Sequence, residues 1–441
     1  MGGVNQNSIT TVKPLISLMV GWATMFVVGS DLFVVSPLLP AIMADYGISP
    51  AAAGLSVTVF AFAYVVSAPF LGHVADKVGR SRVMISCLCA FGLANLLTAA
   101  AVNLTWLLVT RSMAGAMAAG VSPSLYALIS SSAPSGRRAT WLAIPVSGLL
   151  MALTFGAPIG LLTAAAFGWP VVFAGLGGLG MLLAAANSCA WRDCHRAALA
   201  NVAPGRLNRS TVGIGLAPTV AWATAVYAMY IYLGEGLTLI GHSTQEIAKV
   251  IVCYGWGAIV GVLIGGRMAD RFGAKLTSGI ALGGLCCCFL LLRIALDAGV
   301  LVNLAFGLCS LVAQLFFPAQ QVRLADEFPA SRATVLAWNN SALFLGISLG
   351  SIIGGLAISA GGLEFDLQVA AALSLFGWMI SKLGVRPRRA AGDHVTAPTG
   401  PGSKGRATVT VVPDPSSLSI ASVPPWSSTT DFAKGSPNPA P

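Results

Sequence analysis

The sequence predicts an all-α membrane protein: twelve transmembrane helices in two pseudo-symmetric six-helix bundles. Three observations carry that expectation. Charged residues make up only 9% of the 441 residues and apolar residues 56%, against about 25% charged in soluble domains. So few charges cannot cover a water-facing surface, whereas a lipid-facing one does not need them. The apolar segments run roughly 20 to 28 residues, the length of a spanning helix and well beyond the about 9–11 of a barrel strand. Finally, the chain repeats itself. Gly72, Asp76 and Gly79 recur as Gly266, Asp270 and Gly273, Arg138-Ala139-Thr140 recurs as Arg332-Ala333-Thr334, and Gly156 and Gly160 recur as Gly350 and Gly354, all at an offset of 194 positions.

The spans fall near 16–41, 51–75, 82–102, 104–130, 139–166 and 169–190 in the first half. In the second they fall near 213–240, 246–269, 276–296, 299–324, 333–359 and 366–384. This divides the chain into an N-terminus (1–14), a bundle (15–190), a polar and basic central loop (191–212), a second bundle (213–385) and a tail (386–441). The tail is rich in Pro, Gly, Ser and Thr, and such a composition reads as disordered. Basic residues fall in alternate loops: Lys77, Arg80 and Arg82; Arg137 and Arg138; Arg192 to Arg209; Arg267, Arg271 and Lys275; Arg323 and Arg332; Lys382 to Arg389. Lys249 and Arg293 are the exceptions. By the positive-inside rule these loops, the central loop and both termini are cytoplasmic, in a cell inner (plasma) membrane. The net charge of +10 is thus spread over loops, which argues against a nucleic-acid partner.

Along the chain, the first helix carries Asp31 at mid-depth and the fourth carries Arg111 at a similar depth. The fifth carries Gly148, Gly156, Pro158 and Gly160, where proline removes a backbone donor and the glycines admit a neighbour, expected to be helix 8. Candidate substrate-binding residues are Tyr227 and Tyr230 on helix 7, Gln314 and Phe317 on helix 10, and Trp338, Asn339 and Asn340 on helix 11. Aromatic and amide groups at membrane depth suit an amphipathic organic ligand, although each is also explained by packing or a satisfied hydrogen bond. Tyr232, Tyr254, Trp256 and Phe316 join that set more weakly, and Glu235 reads as interfacial. Cys286, Cys287 and Cys288 are consecutive on a helix, diverge by about 100° each and cannot converge on one ion. No metal site and no cofactor is expected, and no nucleophile, metal or phosphate-loop constellation points to an enzyme.

Internal duplication in an apolar chain is the sequence signature of secondary transport. The loop Gly72-x-x-x-Asp76-Lys77-x-Gly79-Arg80-x-Arg82, its weaker copy Gly266-x-x-x-Asp270-Arg271-x-Gly273, and Arg111-x-x-x-Gly115 resemble the major facilitator superfamily over residues 15–385. Gly148, Phe155-Gly156-Ala157-Pro158-Ile159-Gly160 and the stretch Gly29 to Pro40 are similar to its twelve-helix drug:proton antiporter branch, akin to arabinose and chloramphenicol exporters. Two departures stand out: Pro170 follows Gly168-Trp169 where members carry Arg, and Leu32 stands where many carry a second acid. The resemblance implies a monomer in the lipid bilayer that exports a small organic substrate in exchange for protons by alternating access.

The motif residues then take gating roles. Gly72 and Gly79 let helix ends approach closely. Asp76 would accept from the N-terminus of helix 11 near Ser331, and Asp270 from that of helix 5, in one gating state only. A static loop anchor is the alternative. Asp31 costs about 2.5–3.5 kcal/mol in a spanning helix, which points to proton or substrate binding or else to pairing with Arg111. Proton coupling asks the carboxyl to titrate near pH 7, about 4 kcal/mol from its ordinary behaviour; apolar surroundings favour that and Arg111 opposes it. Asp31 is therefore expected to alternate between a protonated form facing the cavity and a paired or substrate-facing form. A sugar or metabolite exporter or a proton symporter of the same fold is the alternative within transport. A non-transporting membrane sensor would not require Asp31, Asp76 and Arg111 together.

Overall fold

The computed structural model describes residues 6–134, 138–191, 209–296, 301–328 and 331–383. The tail over 386–441 and central-loop residues 192–208 lie outside them, as do the side chains of Arg138, Ala139 and Thr140. Twelve helical spans are present among the described residues. These are α1 (Gln6–Tyr46), α2 (Pro50–Val78), α3 (Arg80–Ala99), α4 (Leu104–Ser132), α5 (138–167) and α6 (Trp169–Ala190). They continue with α7 (209–239), α8 (Thr244–Phe272), α9 (Ala274–Ala295), α10 (301–327), α11 (332–360) and α12 (363–383). The last two form a continuous helical run broken at Gly361 and Gly362, with Gly362 at φ 67°. Their apolar stretch of 49 residues would be roughly 74 Å long as one helix, far more than the about 30 Å of bilayer hydrocarbon, so it crosses twice.

Three spans that read as single runs are interrupted. In α5 a π-helical turn, Ala152–Gly156, precedes Pro158. The wide turn takes up the hydrogen bond that Pro158 cannot donate. In α10 the pieces Leu301–Gln314 and Phe316–Glu327 meet at Leu315. Pro318 lies just beyond, and its ring excludes the helical bond to the Gln314 carbonyl. In α7 the break falls at Tyr232, between Arg209–Ile231 and Leu233–Leu239.

The 194-residue repeat is written into the backbone. All six described glycines with positive φ pair at that offset: Gly47 with Gly241, Gly79 with Gly273, and Gly168 with Gly362. Ser49 and Ser243 cap α2 and α8 with nearly the same dihedrals, φ −71° and −72°, ψ 159° in both. One apolar core is built mainly from the first half, with Ile231, Tyr232, Ile347 and Ile358 joining it, and the other mainly from the second, with Phe33, Ala152, Leu153, Ala157 and Leu161 joining it. Phe26, Leu32, Leu149, Tyr227 and Leu343 are half-buried and packed against both cores, which places them where the bundles meet.

The contacts that close this seam lie toward the end opposite the Gly79 and Gly273 loops. Ser36 donates to the Tyr230 carbonyl, and the Tyr230 hydroxyl donates to the Phe33 carbonyl at 3.2 Å. Ser348 donates to the Thr58 carbonyl at 3.4 Å and Ser351 to the Gly54 carbonyl at 2.6 Å. At mid-helix, Tyr64 stacks on Phe344 with centroids 3.6 Å apart. At the basic end, by contrast, a Cβ added at Gly72, Gly79, Gly266 or Gly273 would meet nothing within 4 Å.

Candidate functional site

Asp31 on α1 and Arg111 on α4 form a buried ion pair, Nη1 to Oδ1 at 2.6 Å, with side chains 0% and 1% exposed. Arg111 Nη2 also reaches the Asp31 carbonyl at 3.5 Å. The guanidinium lies over the rings of Phe60 (4.7 Å) and Phe173 (5.3 Å), so α2 and α6 close it on two sides. Asn95 of α3 borders the carboxylate and donates to the Phe91 carbonyl at 3.1 Å. Four buried polar atoms here lack a hydrogen-bond partner: Asp31 Oδ2, Arg111 Nε, Asn95 Oδ1 and Ser30 Oγ. Such groups cost free energy unless water or a proton satisfies them.

Of the two forms expected of Asp31, this conformation holds the paired one. The pair is enclosed within the N-terminal bundle by α1, α2, α3, α4 and α6. The reason is steric and electrostatic: two aromatic rings cover the guanidinium, and the carboxylate turns toward it. At the repeat offset the C-terminal half has Ala225 and Ala305, so one bundle alone carries this pair.

The motif loops make local contacts. Asp76 is 62% exposed and accepts from Arg80 Nη2 at 2.8 Å, within its own motif; the contact expected with the start of α11 belongs to one gating state only. An exposed carboxylate one turn from a guanidinium pairs locally when the opposite bundle does not come close. Lys77 and Arg82 are exposed, as are Asp270 and Arg271. Arg271 lies over the Phe272 ring at 5.4 Å, and Gly79 and Gly273 cap α2 and α8 by donating to the Ala75 and Ala269 carbonyls at 3.0 Å each.

The glycines of α5 press on α1, not on α8. A methyl group at Gly148, Gly156 or Gly160 would overlap the Trp22 carbonyl, the Ser30 hydroxyl or Val34 Cγ2. The repeat reproduces this packing, since Gly350 meets Thr224 and Gly354 meets Ala228 of α7. The approach of α5 to α8 is made by α8's own Gly255, seated against Thr154. Sequence showed which residues were small but not which neighbour exploited them.

The expected substrate residues divide. Tyr227, Tyr230 and Tyr254 adjoin, with ring centroids 6.3 Å and 5.3 Å apart, and Tyr230 is committed to the seam. Tyr232 is fully buried and donates to the Ser351 carbonyl at 2.6 Å. Phe316 and Phe317 lie against Trp222, whose indole donates to the Ala313 carbonyl. Asn339 is buried and accepts from Thr219 at 2.6 Å, leaving its Nδ2 unpartnered. Gln314 and Asn340 are half-buried, while Trp338 is exposed, as is Trp256, which stands edge-on to Phe155.

Sequence reasoning missed several groups. Glu327 is buried at the basic end of α10, bound by Arg323 at 3.0 Å and Lys275 at 3.5 Å, so the motif copy ties into its own bundle. Gln320 beside it donates to the Gly215 carbonyl at 2.8 Å. Glu235, read as interfacial, is only 6% exposed. Asp366 is fully buried near the start of α12; acids at helix starts usually cap in water, and nothing in its sequence context distinguishes the two cases.

The sequence profile of the Major Facilitator Superfamily matches residues 21–240 and again 212–429. The chain belongs to the Major Facilitator Superfamily. It is a multi-pass membrane transporter, similar to bacterial members of the family. It is 27% identical over 335 residues to the uncharacterized MFS-type transporter YbcL of Bacillus subtilis (strain 168), covering 75% of this chain and 85% of that one. It is 28% identical to the inner membrane transport protein YdhP of Escherichia coli (strain K12), covering 79% and 89%. Among solved structures it resembles a bacterial homolog to the human lysosomal transporter Spinster, in an inward-facing and unoccupied conformation. That match has a TM-score of 0.71 at 17% identity and covers 84% of this chain and 96% of the other, a likeness of fold.

Proposed function

We propose that this transporter exports a small, amphipathic organic compound from the cell in exchange for protons, by rocking its two bundles about the seam. The observation that carries the reading is the buried Asp31–Arg111 pair, with an unpartnered carboxylate oxygen and no counterpart in the second bundle. A symmetric scaffold has no packing need for an ion pair in one half only, and buried ion pairs are poor stabilisers. A group able to exchange Arg111 for a proton has a use there.

Taking the basic loops as cytoplasmic, the seam is closed on the outer side and the motif loops stand free on the inner side, which corresponds to an inward-facing state. Half-buried Phe26, Tyr227 and Leu343, where the cores meet, offer the apolar and aromatic surface that such a substrate requires. In the other state Asp76 would leave Arg80 for the start of α11. One inward charge at −100 mV supplies about 2.3 kcal/mol to drive the exchange.

The test uses a bacterial strain lacking its own exporters, challenged with a compound panel with and without a protonophore. The expected result is raised tolerance to a subset of compounds, abolished by the protonophore and by Asp31→Asn. Undiminished, pH-gradient-driven export by Asp31→Asn refutes the proton role, while tolerance unchanged across the panel counts against export.

A further inference from the structure

A second buried acid lies outside the Asp31 pair. Asp366 of α12 is fully buried, and both of its carboxylate oxygens lack a hydrogen-bond partner. It follows closely on the break at Gly361 and Gly362, about one helical turn from the end opposite the motif loops. Gly236 of α7, one turn on from Tyr232, is seated against Leu363, one turn before Asp366. The Tyr232 hydroxyl donates to the Ser351 carbonyl of α11, and the Ser351 hydroxyl donates to the Gly54 carbonyl of α2, each at 2.6 Å. The start of α12 is thus packed on the α7 segment whose Tyr232 supports the contact that holds the bundles together on the outer side.

The surrounding charges do not neutralise it. From α9 comes Arg293, whose guanidinium is turned to Glu364 at 3.1 Å, where both side chains are about half exposed. From α7, beyond Tyr232, comes Glu235, itself an acid and 6% exposed. Among the described residues no cation pairs with Asp366. An ionised carboxylate there would leave two bare acceptors in an apolar interior, a cost of several kcal/mol. The neutral acid avoids that charge. A metal ion has no basis at this position, since no group of three ligating side chains occurs among the described residues.

We propose that Asp366 is a proton-binding site loaded from the outer side, and that its occupied form is what the closed outer seam requires. Separating Tyr232 and Ser351 from α2 admits water to α12. Asp366 then releases its proton and is stabilised as the hydrated carboxylate, which keeps the seam open until a proton returns. A proton bound here stays behind the closed seam, so Asp366 is a positioning residue for the conformational change and not the carrier of the exchanged proton. The inference rests on the alternating-access reading given above.

The experiment introduces Thr58→Cys into the seam of the full chain in right-side-out vesicles. Its reaction with a membrane-impermeant maleimide is measured as outer pH is raised from 5 to 9, with the unmodified protein subtracted as background and each rate divided by that of Val102→Cys, exposed outside the seam, so that the labelling compared is free of the thiol's own ionisation. One coupled proton changes the open-to-closed ratio by up to tenfold per pH unit, so labelling should climb by up to tenfold per unit until the open state dominates. Asp366→Asn, which keeps the shape and stays neutral, should label slowly and evenly at every pH. Asp366→Glu, which still titrates, should restore the rise with a displaced midpoint. A pH-dependent rise that survives in Asp366→Asn overturns the proposal while leaving alternating access intact, and so does a flat profile in Asp366→Glu. Slow, flat labelling in the Thr58→Cys parent, with or without a transported compound, overturns both.

Discussion

Removing one member of the Asp31–Arg111 pair should harm the protein far more than removing both. The pair is made at 2.6 Å with side chains 0% and 1% exposed, so either partner left alone is a charge in an interior closed by Phe60 and Phe173. Breaking a buried pair from one side costs about 3–5 kcal/mol, whereas replacing both partners by neutral groups of similar volume is often neutral or stabilising. Arg111→Met should therefore lower stability by about 3–5 kcal/mol, and Arg111→Met combined with Asp31→Asn should recover most of it. The two residues touch, so their effects should fail to add by at least about 1 kcal/mol. The measurement is a double-mutant cycle by thermal unfolding of detergent-purified protein, using the same four proteins for transport. Stability recovered in the double variant without transport separates the architectural role of the pair from its proposed coupling role. Additive losses, with the double variant less stable than either single one, would refute the claim that the two charges exist for one another.

Two further outcomes test the packing and the gate. Gly156→Val, which drives side-chain atoms into Ser30, should cost about 1–3 kcal/mol by overpacking, and Gly350→Val against Thr224 should cost a similar amount, whereas Gly178→Ala, which meets nothing within 4 Å, should be near neutral; expression and unfolding midpoints report all three. Asp76→Asn should leave membrane insertion and unfolding temperature unchanged, since the carboxylate is 62% exposed and makes a local pair with Arg80, yet cut transport severely; full transport by this variant would restrict the loop to an anchoring role.

Much of the architecture was legible in the chain because its solvent is lipid. Backbone groups in hydrocarbon must be satisfied within the helix, so each long apolar run announces a span. The helix that α11 and α12 share illustrates the limit: its length demands two crossings, and Gly362 at positive φ supplies the turn. Pro158, where the loss of a backbone donor was expected, marks the interruption at Ala152–Gly156; that at Leu315 was not anticipated, although Pro318 marks it in the sequence. A proline shows that a hydrogen bond is lost, but the backbone's answer depends on the neighbouring helix.

The candidate site was legible in kind and not in place. Asp31 and Arg111 stood out because charge is rare and costly at membrane depth. Their matched depths made a pair possible, but only the packing of α2 and α6 decided that the pair lies inside one bundle. Asp366 shows the opposite case, an acid whose sequence context is ordinary and which the packed bundle nonetheless buries fully.

By itself the sequence determined the solvent, the number of crossings and the duplication, because hydropathy, helix length and repeat offset are properties of the chain read in one dimension. Tertiary structure alone decided that the α5 glycines serve α1, that Asp76 turns to Arg80, and which acids are cut off from water. Those are questions of which side chains meet across helices distant in sequence, and packing settles them after every helix has already formed.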